Sequence, residues 1–330
     1  MQSTTATVKP SAENLPPAIF LMGPTASGKS QIALEIADRF PVEIISVDSA
    51  QVYRHMNIGT AKPSNIILKQ TPHHLIDLIN PDQAYSAAQF CADALSMMRA
   101  ITARDHIPLL VGGTMLYFQA LKQGLAVLPA ADHQLRKTFE QQALENGWPA
   151  LHQHLAELDP QMASRIQPTD SQRIQRALEI SYLTQKPMSE ILQSEQPYSL
   201  PYHTINLALI PGDRSQLHLR IAKRFEQMLD SGLIDEVASI RQQFPQSSDT
   251  PSMRCVGYRQ TCQYLDQEID SIELHDSGIA ATRQLAKRQL TWLRNIKWSD
   301  SHVFDCLENH LATNVYRLLH NIMKSRFPSD

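Results

Sequence analysis

The sequence predicts an α/β fold, a parallel sheet wound by helices and interrupted by an all-helical insertion. Three observations predict it. Short apolar runs alternate with helical patterns through the N-terminal third of the chain, the texture of strands joined by crossover helices. A glycine-rich turn, GPTASGKS at 23–30, lies between one such run and one such helix. From about residue 126 to 198 no strand candidate occurs, and the alternation resumes near 199.

Taken in order, AIFLM (18–22), VEIISV (42–47), HHLIDLI (73–79) and IPLLV (107–111) read as strands, apolar runs closed by Gly, Asp or a turn. KSQIALEIADRF (29–40) and SAAQFCADALSMMRAITARD (86–105) have the apolar period of amphipathic helices, the second with Ser86 as N-cap. HQLRKTFEQQALENG and TDSQRIQRALEISYLTQ are helical stretches of the insertion. HTINLALI (203–210) is one more buried strand, a helix follows through LHLRIAKRFEQMLDSG, and 214–325 is mainly helical. The expected organisation is a disordered leader over 1–17, a discontinuous core of 18–125 and 199–330, and a helical insertion domain over 126–198.

The 330 residues are 42% hydrophobic, enough for a sizeable core, and carry a net charge of −3. No global basic field marks a nucleic-acid binder, so any such surface requires local segregation of charge. The four cysteines, Cys91, Cys255, Cys262 and Cys306, form no C-x-x-C pair, which speaks against structural zinc and a disulfide scaffold. No apolar run reaches the roughly 18 residues a membrane span needs, and the polar leader has no apolar segment of a secretory signal. A cytoplasmic chain without membrane contact is expected, and a monomer.

Gly23, Pro24, Thr25, Ala26, Ser27, Gly28, Lys29 and Ser30 match G-x-x-x-x-G-K-[ST]. Glycines allow close approach of backbone amides to oxygen, and the following helix N-terminus points at the anion. Lys29 adds charge, and the Ser30 hydroxyl suits Mg²⁺, the one cofactor expected. IPLLV ends in Gly112-Gly113-Thr114, where a hydrolysing motor carries a metal-binding acid. The acid stands instead after the second strand, as Asp48 in ISVDSAQVY. It helps to hold Mg²⁺ from the second shell, or caps the turn of the next segment, or serves as a general base. A motor is disfavoured, whereas a kinase of a small molecule or nucleotide stays open.

Seven segments together resemble the bacterial tRNA dimethylallyltransferases: GPTASGKS, ISVDSAQVYRHMNIGTAKP, PHHLIDL, LLVGGTMLYFQAL, QRIQRALEI, RCVGYRQ and ATRQLAKRQLTWLR. They run in the family's order from residue 18 to about 298, and GGTMLYF and CVGYRQ are far more specific than the phosphate loop. Ser30 stands where many members have Thr, and the zinc finger of eukaryotic relatives is absent. The resemblance implies a P-loop NTPase-like sheet and transfer of the five-carbon group of dimethylallyl diphosphate to the exocyclic amine of the adenosine 3′ to the anticodon. The loop then holds a leaving diphosphate rather than ATP. It also implies Asp48 as the base and Thr114 as a diphosphate ligand, the alternative for Thr114 being a helix N-cap. Arg220 is implied as a diphosphate contact, although Arg214 and Arg224 lie near enough to confuse the placement.

For the tRNA anticodon stem-loop, charge is segregated in the C-terminal third. Arg283, Lys287, Arg288, Arg294 and Lys297 occur between Ser277 and Lys297 with no acidic residue. On a helix Arg283, Lys287 and Arg294 fall within about 40° of one another, with Leu285, Trp292, Leu293 and Ile296 opposite. Such a stripe suits phosphates, and Trp292 joins it as an RNA contact by resemblance. Arg254, Cys255, Val256, Gly257, Tyr258 and Arg259 form a basic turn with an aromatic, suited to unpaired RNA. Gln172, Arg173, Arg176 and, by family analogy, Arg136 are candidate contacts on the insertion. Ser49, Ala50 and Gln51 beside Asp48 are placed to read an extruded adenine. Adjacent His73 and His74 face opposite ways on a strand and are expected to be structural. Besides the kinase, prenylation of free adenine nucleotides and a non-enzymatic RNA-binding module are the rival readings.

Overall fold

The computed structural model describes residues 15–194, 198–296 and 298–326. Most of the expected leader and Lys297 therefore lie outside the described residues. The chain divides into two compact units, one formed by 1–122 and 200–330, the other by 123–199.

The first unit is a six-stranded, all-parallel sheet. Its strands are β1 (Pro17–Met22), β2 (Val42–Val47), β3 (His73–His74), β4 (Ile107–Gly112), β5 (His203–Ile210) and β6 (Ser301–Asp305), in the order β3-β2-β4-β1-β5-β6. Around it run α1 (Lys29–Ala37), α2 (Asn65–Gln70), α3 (Ala87–Thr102), α4 (Met115–Gln123), α10 (Arg214–Asp230), α11 (Leu233–Gln243), α12 (Tyr258–Leu265), α13 (Ser271–Asn295) and α14 (Leu311–Arg326). Parallel strands need crossovers and are buried on both faces, and β1, β2 and β5 are buried along nearly their whole length. Ser86 caps α3 in a full capping box with Gln89, as its sequence predicts.

Two sheet features differ from expectation. HHLIDLI forms only the two-residue β3, because Leu75 (φ 63°) and Asp77 (φ 56°) adopt left-handed backbone that no strand continues through. Asp77 is instead drawn to the Lys62 ammonium at 2.6 Å. Conversely, SHVFD (301–305) adds β6 to the sheet edge beside β5. Its mixed polarity and short length gave no strand signal.

Register brings the functional loops together. Met22 and Val47 both pair with Gly112, so Gly23, Asp48 and Gly113 leave the carboxyl end of the sheet side by side. Ligands of open parallel sheets bind at that end. The core packs on both faces, around Phe20, Phe90 and Phe118 on one and Ile19, Leu21 and Leu109 on the other.

The second unit is helical: α5 (His133–Asn146), α6 (Trp148–Leu158), α7 (Pro160–Ala163), α8 (Ser171–Thr184) and α9 (Met188–Ser194). It has its own core of Phe139, Leu151, Leu155, Ile174 and Leu178.

Candidate active site

The turn after β1 wraps onto the N-terminus of α1 with Gly28 in left-handed backbone at φ 83°, a conformation that a side chain would strain. Beside it opens a cavity of about 460 Å³. Thr25 to Ser30 line it, as do Ser46, Asp48, Ala50 and Gln51 at the end of β2 and Gly112 and Gly113 at the end of β4. One wall is apolar. Ile221, Phe225 and Met228 of α10 and Leu285 of α13 supply it.

Lys29 lies over its own loop, donating to Pro24 O at 2.6 Å. Burial in the cavity and the nearby Arg224 guanidinium lower its pKa to about 8, and Asp48 partly offsets them. Asp48 Oδ1 accepts from the backbone N–H groups of Ala50 (2.8 Å) and Gln51 (3.3 Å). It therefore caps its turn while facing the cavity, so the capping and general-base readings of Asp48 are compatible. Gln51 is fixed at both ends of its amide, accepting from Ser46 Oγ at 2.9 Å and donating to Thr60 O at 3.3 Å. Thr114 Oγ1 accepts from Ser49 N–H at 3.1 Å and ties the glycine turn to the Asp48 loop.

Arg220 and Arg224 separate in the structure. Arg220 donates to Cys306 O at 3.3 Å and lines a second, more open hollow that shares Ala26, Gly28, Arg224 and Met228 with the first. Arg224 lines the loop cavity itself, where burial pulls its pKa down against the attraction of Asp48. Helical geometry held the signal: relative to the Leu217–Ile221–Phe225 stripe, Arg224 lies about 20° off the edge and Arg220 about 60°.

RCVGYR is only partly a surface. Arg254 and Arg259 are exposed, Cys255 and Val256 are half-buried, and Gly257 and Tyr258 are buried. The expectation of a stacking Tyr258 is corrected, for the ring is fully buried and its hydroxyl donates to Glu236 Oε1 at 2.5 Å. The same Glu236 carboxylate accepts from the N–H groups of Asn57, Ile58 and Gly59. It thus anchors the loop that brings Gly59 and Thr60 to the cavity. Glu236 was invisible in sequence because its partners are backbone groups far away in the chain. The Cys255 thiol is pushed up to about 12 by burial and by Asp48, and so is unreactive.

On α13 the basic residues Arg283, Lys287, Arg288 and Arg294 are all exposed, and Ala286, Leu290 and Leu293 are buried. Trp292 is 38% exposed and belongs to the solvent side rather than the apolar side. Thr282, Leu285 and Gln289 turn a third face to the cavity.

In the helical unit, Arg136 and Arg176 are committed to Glu179, which is wholly buried. Burial alone would raise this carboxyl, yet hydrogen bonds from Arg136 and Arg176 outweigh it and hold it low. The expectation of two cations free for RNA gives way to an ion cluster around a buried carboxylate, with Arg136 of α5 tied to Glu179 of α8. Gln172 and Arg173 remain exposed, with Arg173 3.3 Å from Asp170. His74 bonds Glu43 at 2.7 Å and His73 bonds Thr71 O at 2.8 Å, a structural role for both. Among the described residues no cluster of three or more His, Cys, Asp or Glu could hold a metal, and no helix is long and apolar enough to cross a membrane.

Fold and cavity define an α/β protein with a phosphate-loop sequence, whose loop cavity is also lined by a carboxylate and an apolar wall. Residues 51–296 match the family model of the IPP transferases. The chain is 65% identical over 304 residues to the tRNA dimethylallyltransferase of Nitrosomonas europaea, covering 92% of this chain and 95% of that one. The full-length tRNA isopentenylpyrophosphate transferase from Bacillus halodurans superposes with a TM-score of 0.69 at 32% identity, over 95% of this chain and 98% of that one. A eukaryotic dimethylallyltransferase acting on tRNA gives a TM-score of 0.78 at 26% identity, over 95% of this chain and 80% of that one. The chain belongs to the IPP transferase family.

Proposed function

We propose that this enzyme transfers the dimethylallyl group of dimethylallyl diphosphate to the exocyclic amine of the adenosine 3′ to the anticodon of tRNA, releasing diphosphate. The observation that carries the reading is the cavity, where an anion-binding loop, a carboxylate and an apolar wall meet. The diphosphate lies on the loop amides and Lys29, with Arg224 beside it and Arg220 at the neighbouring opening. The five-carbon group lies along Ile221, Phe225, Met228 and Leu285, whose burial of apolar surface selects a hydrocarbon over a second polar substrate. The adenine enters from the Asp48 side, where Gln51 is held fixed for its edge.

The amine nitrogen forms a bond to C1 of the allyl group while the C1–O bond breaks and its electron pair leaves with the diphosphate. Loop amides and Lys29 stabilise the charge growing on the departing oxygens, with Thr114 holding the turn beside them. Asp48 accepts the proton lost by the amine. The all-oxygen character of Ser30 and Asp48 on the cavity wall fits Mg²⁺. Ser30 would hold the ion, the remaining ligands coming from phosphate and water, and the chemistry it supplies when bound is neutralisation of the leaving group. RNA is drawn to the exposed cations of α13 and to Arg254 and Arg259.

A donor comparison tests the reading. Purified protein with Mg²⁺ and an unmodified anticodon stem-loop receives either allyl-labelled dimethylallyl diphosphate or γ-labelled ATP. Label on the adenosine from the allylic donor, lost in Asp48→Ala, is the expected result. Label arriving only from ATP would make the enzyme a kinase.

A further inference from the structure

Gln289 faces the cavity from α13 and does two things at once. Its Oε1 accepts from the Thr25 N–H at 2.8 Å, and its Nε2 donates to Gly113 O at 2.9 Å. Because a backbone N–H only donates and a carbonyl only accepts, these partners fix the orientation of the amide. Neither Glu nor Lys could replace it, since one lacks the donor and the other the acceptor. Gly113 completes the fit, as a Cβ there would run into Gln289 Nε2.

We propose that Gln289 is a positioning residue that clamps the phosphate loop to the glycine turn, and so sets the leaving group against the base. The connection continues beyond the clamp. Gly113 precedes Thr114, whose hydroxyl accepts from Ser49 N–H, and Ser49 follows Asp48, whose carboxylate caps its own turn. Thr25 and Asp48 thus reach one another through the Gln289 amide, the glycine turn and the Ser49 backbone. The clamp is also mounted on the helix whose outer side carries Lys287, Arg288 and Arg294. RNA held there rests on the same rigid element that fixes both loops. Transfer over a C–O bond that breaks as C–N forms depends on such alignment, and misplacement by about 1 Å can cost roughly 100-fold in rate.

The inference rests on the proposed transfer reaction, and its test separates the two. Gln289→Leu keeps the bulk and removes both hydrogen bonds, whereas Gly113→Ala displaces the amide without altering it. Each should lower kcat about 10- to 100-fold, leave the affinity for the anticodon stem-loop unchanged, and weaken binding of inorganic diphosphate with Mg²⁺. The double variant should be no worse than the more severe single one, because both break the same clamp. Circular dichroism and the thermal midpoint confirm that each variant is folded. Wild-type kcat and diphosphate affinity in Gln289→Leu, or fully additive losses in the double variant, would overturn the clamp. If the wild type transfers no allyl group, the reaction assignment fails instead, and diphosphate affinity alone then decides on Gln289.

Discussion

Lys29 is the residue whose charge the cavity controls most directly. Its pKa of about 8 without substrate follows from burial and from Arg224, and the negative charge of a bound diphosphate opposes both. Diphosphate binding at pH 8–9 should therefore take up a proton, and affinity should fall by up to about tenfold per pH unit above 8. Calorimetry in two buffers of different ionisation enthalpy measures the uptake. Its absence, or an unchanged profile in Lys29→Met, would show that Lys29 is charged throughout. Stability moves the other way. A folded pKa below the unfolded value means the unfolded chain binds more protons between about 8 and 10.5, so the substrate-free fold gains stability as pH rises through that window. At this scale the motif singled out Lys29 and Ser30 by type and spacing, and the structure brings both to one cavity with Asp48. Gln289, Arg224 and Glu236 escaped because each acts on a partner that only tertiary structure brings near.

Among the elements, α13 shows how one helix serves three surroundings. Ala286, Leu290 and Leu293 are buried, Thr282, Leu285 and Gln289 face the cavity, and the cations face water. A sequence wheel divides such a helix into two sides, which is why Trp292 was placed on the wrong one. The same blind spot explains Arg220 and Arg224 on α10. Strands were readable where both faces are buried, as in β1, β2, β4 and β5, and lost at the sheet margins. There β3 is stopped by left-handed Leu75, and Val303 of β6 is 65% exposed. The outer side of α13 yields a quantitative prediction. If Lys287 and Arg294 contact RNA phosphates, Lys287→Ala and Arg294→Ala should each weaken stem-loop binding, and each should flatten the slope of log K against log salt by about 1. Fluorescence anisotropy over a salt series reads both quantities, with the exposed Gln284→Ala as control. Unaltered slopes would move the RNA to another surface.

Across the whole molecule, the division of hydrophobic clusters is the property that matters most. Among the described residues, the two clusters flanking the sheet take their fully buried members from 18–121 and 200–319, while the helical unit buries Phe139, Leu151, Leu155, Ile174 and Leu178 among themselves. Polar pinning is equally local, with Glu179 held by Arg136 and Arg176, and Asp159 held by Ser189. A unit with a buried core and ion cluster of its own can unfold as a cooperative unit. Leu155, fully buried, is the probe. Leu155→Ala removes packing at the centre of the helical core and should cost that unit about 2–5 kcal/mol. Scanning calorimetry should show a transition of the helical unit moving to lower temperature while that of the sheet unit stays in place. Diphosphate binding below the first transition should match the wild type, because every residue lining the loop cavity belongs to the sheet unit. One transition that shifts as a whole, with diphosphate affinity lost alongside it, would mean that the two cores fold as a single cooperative body.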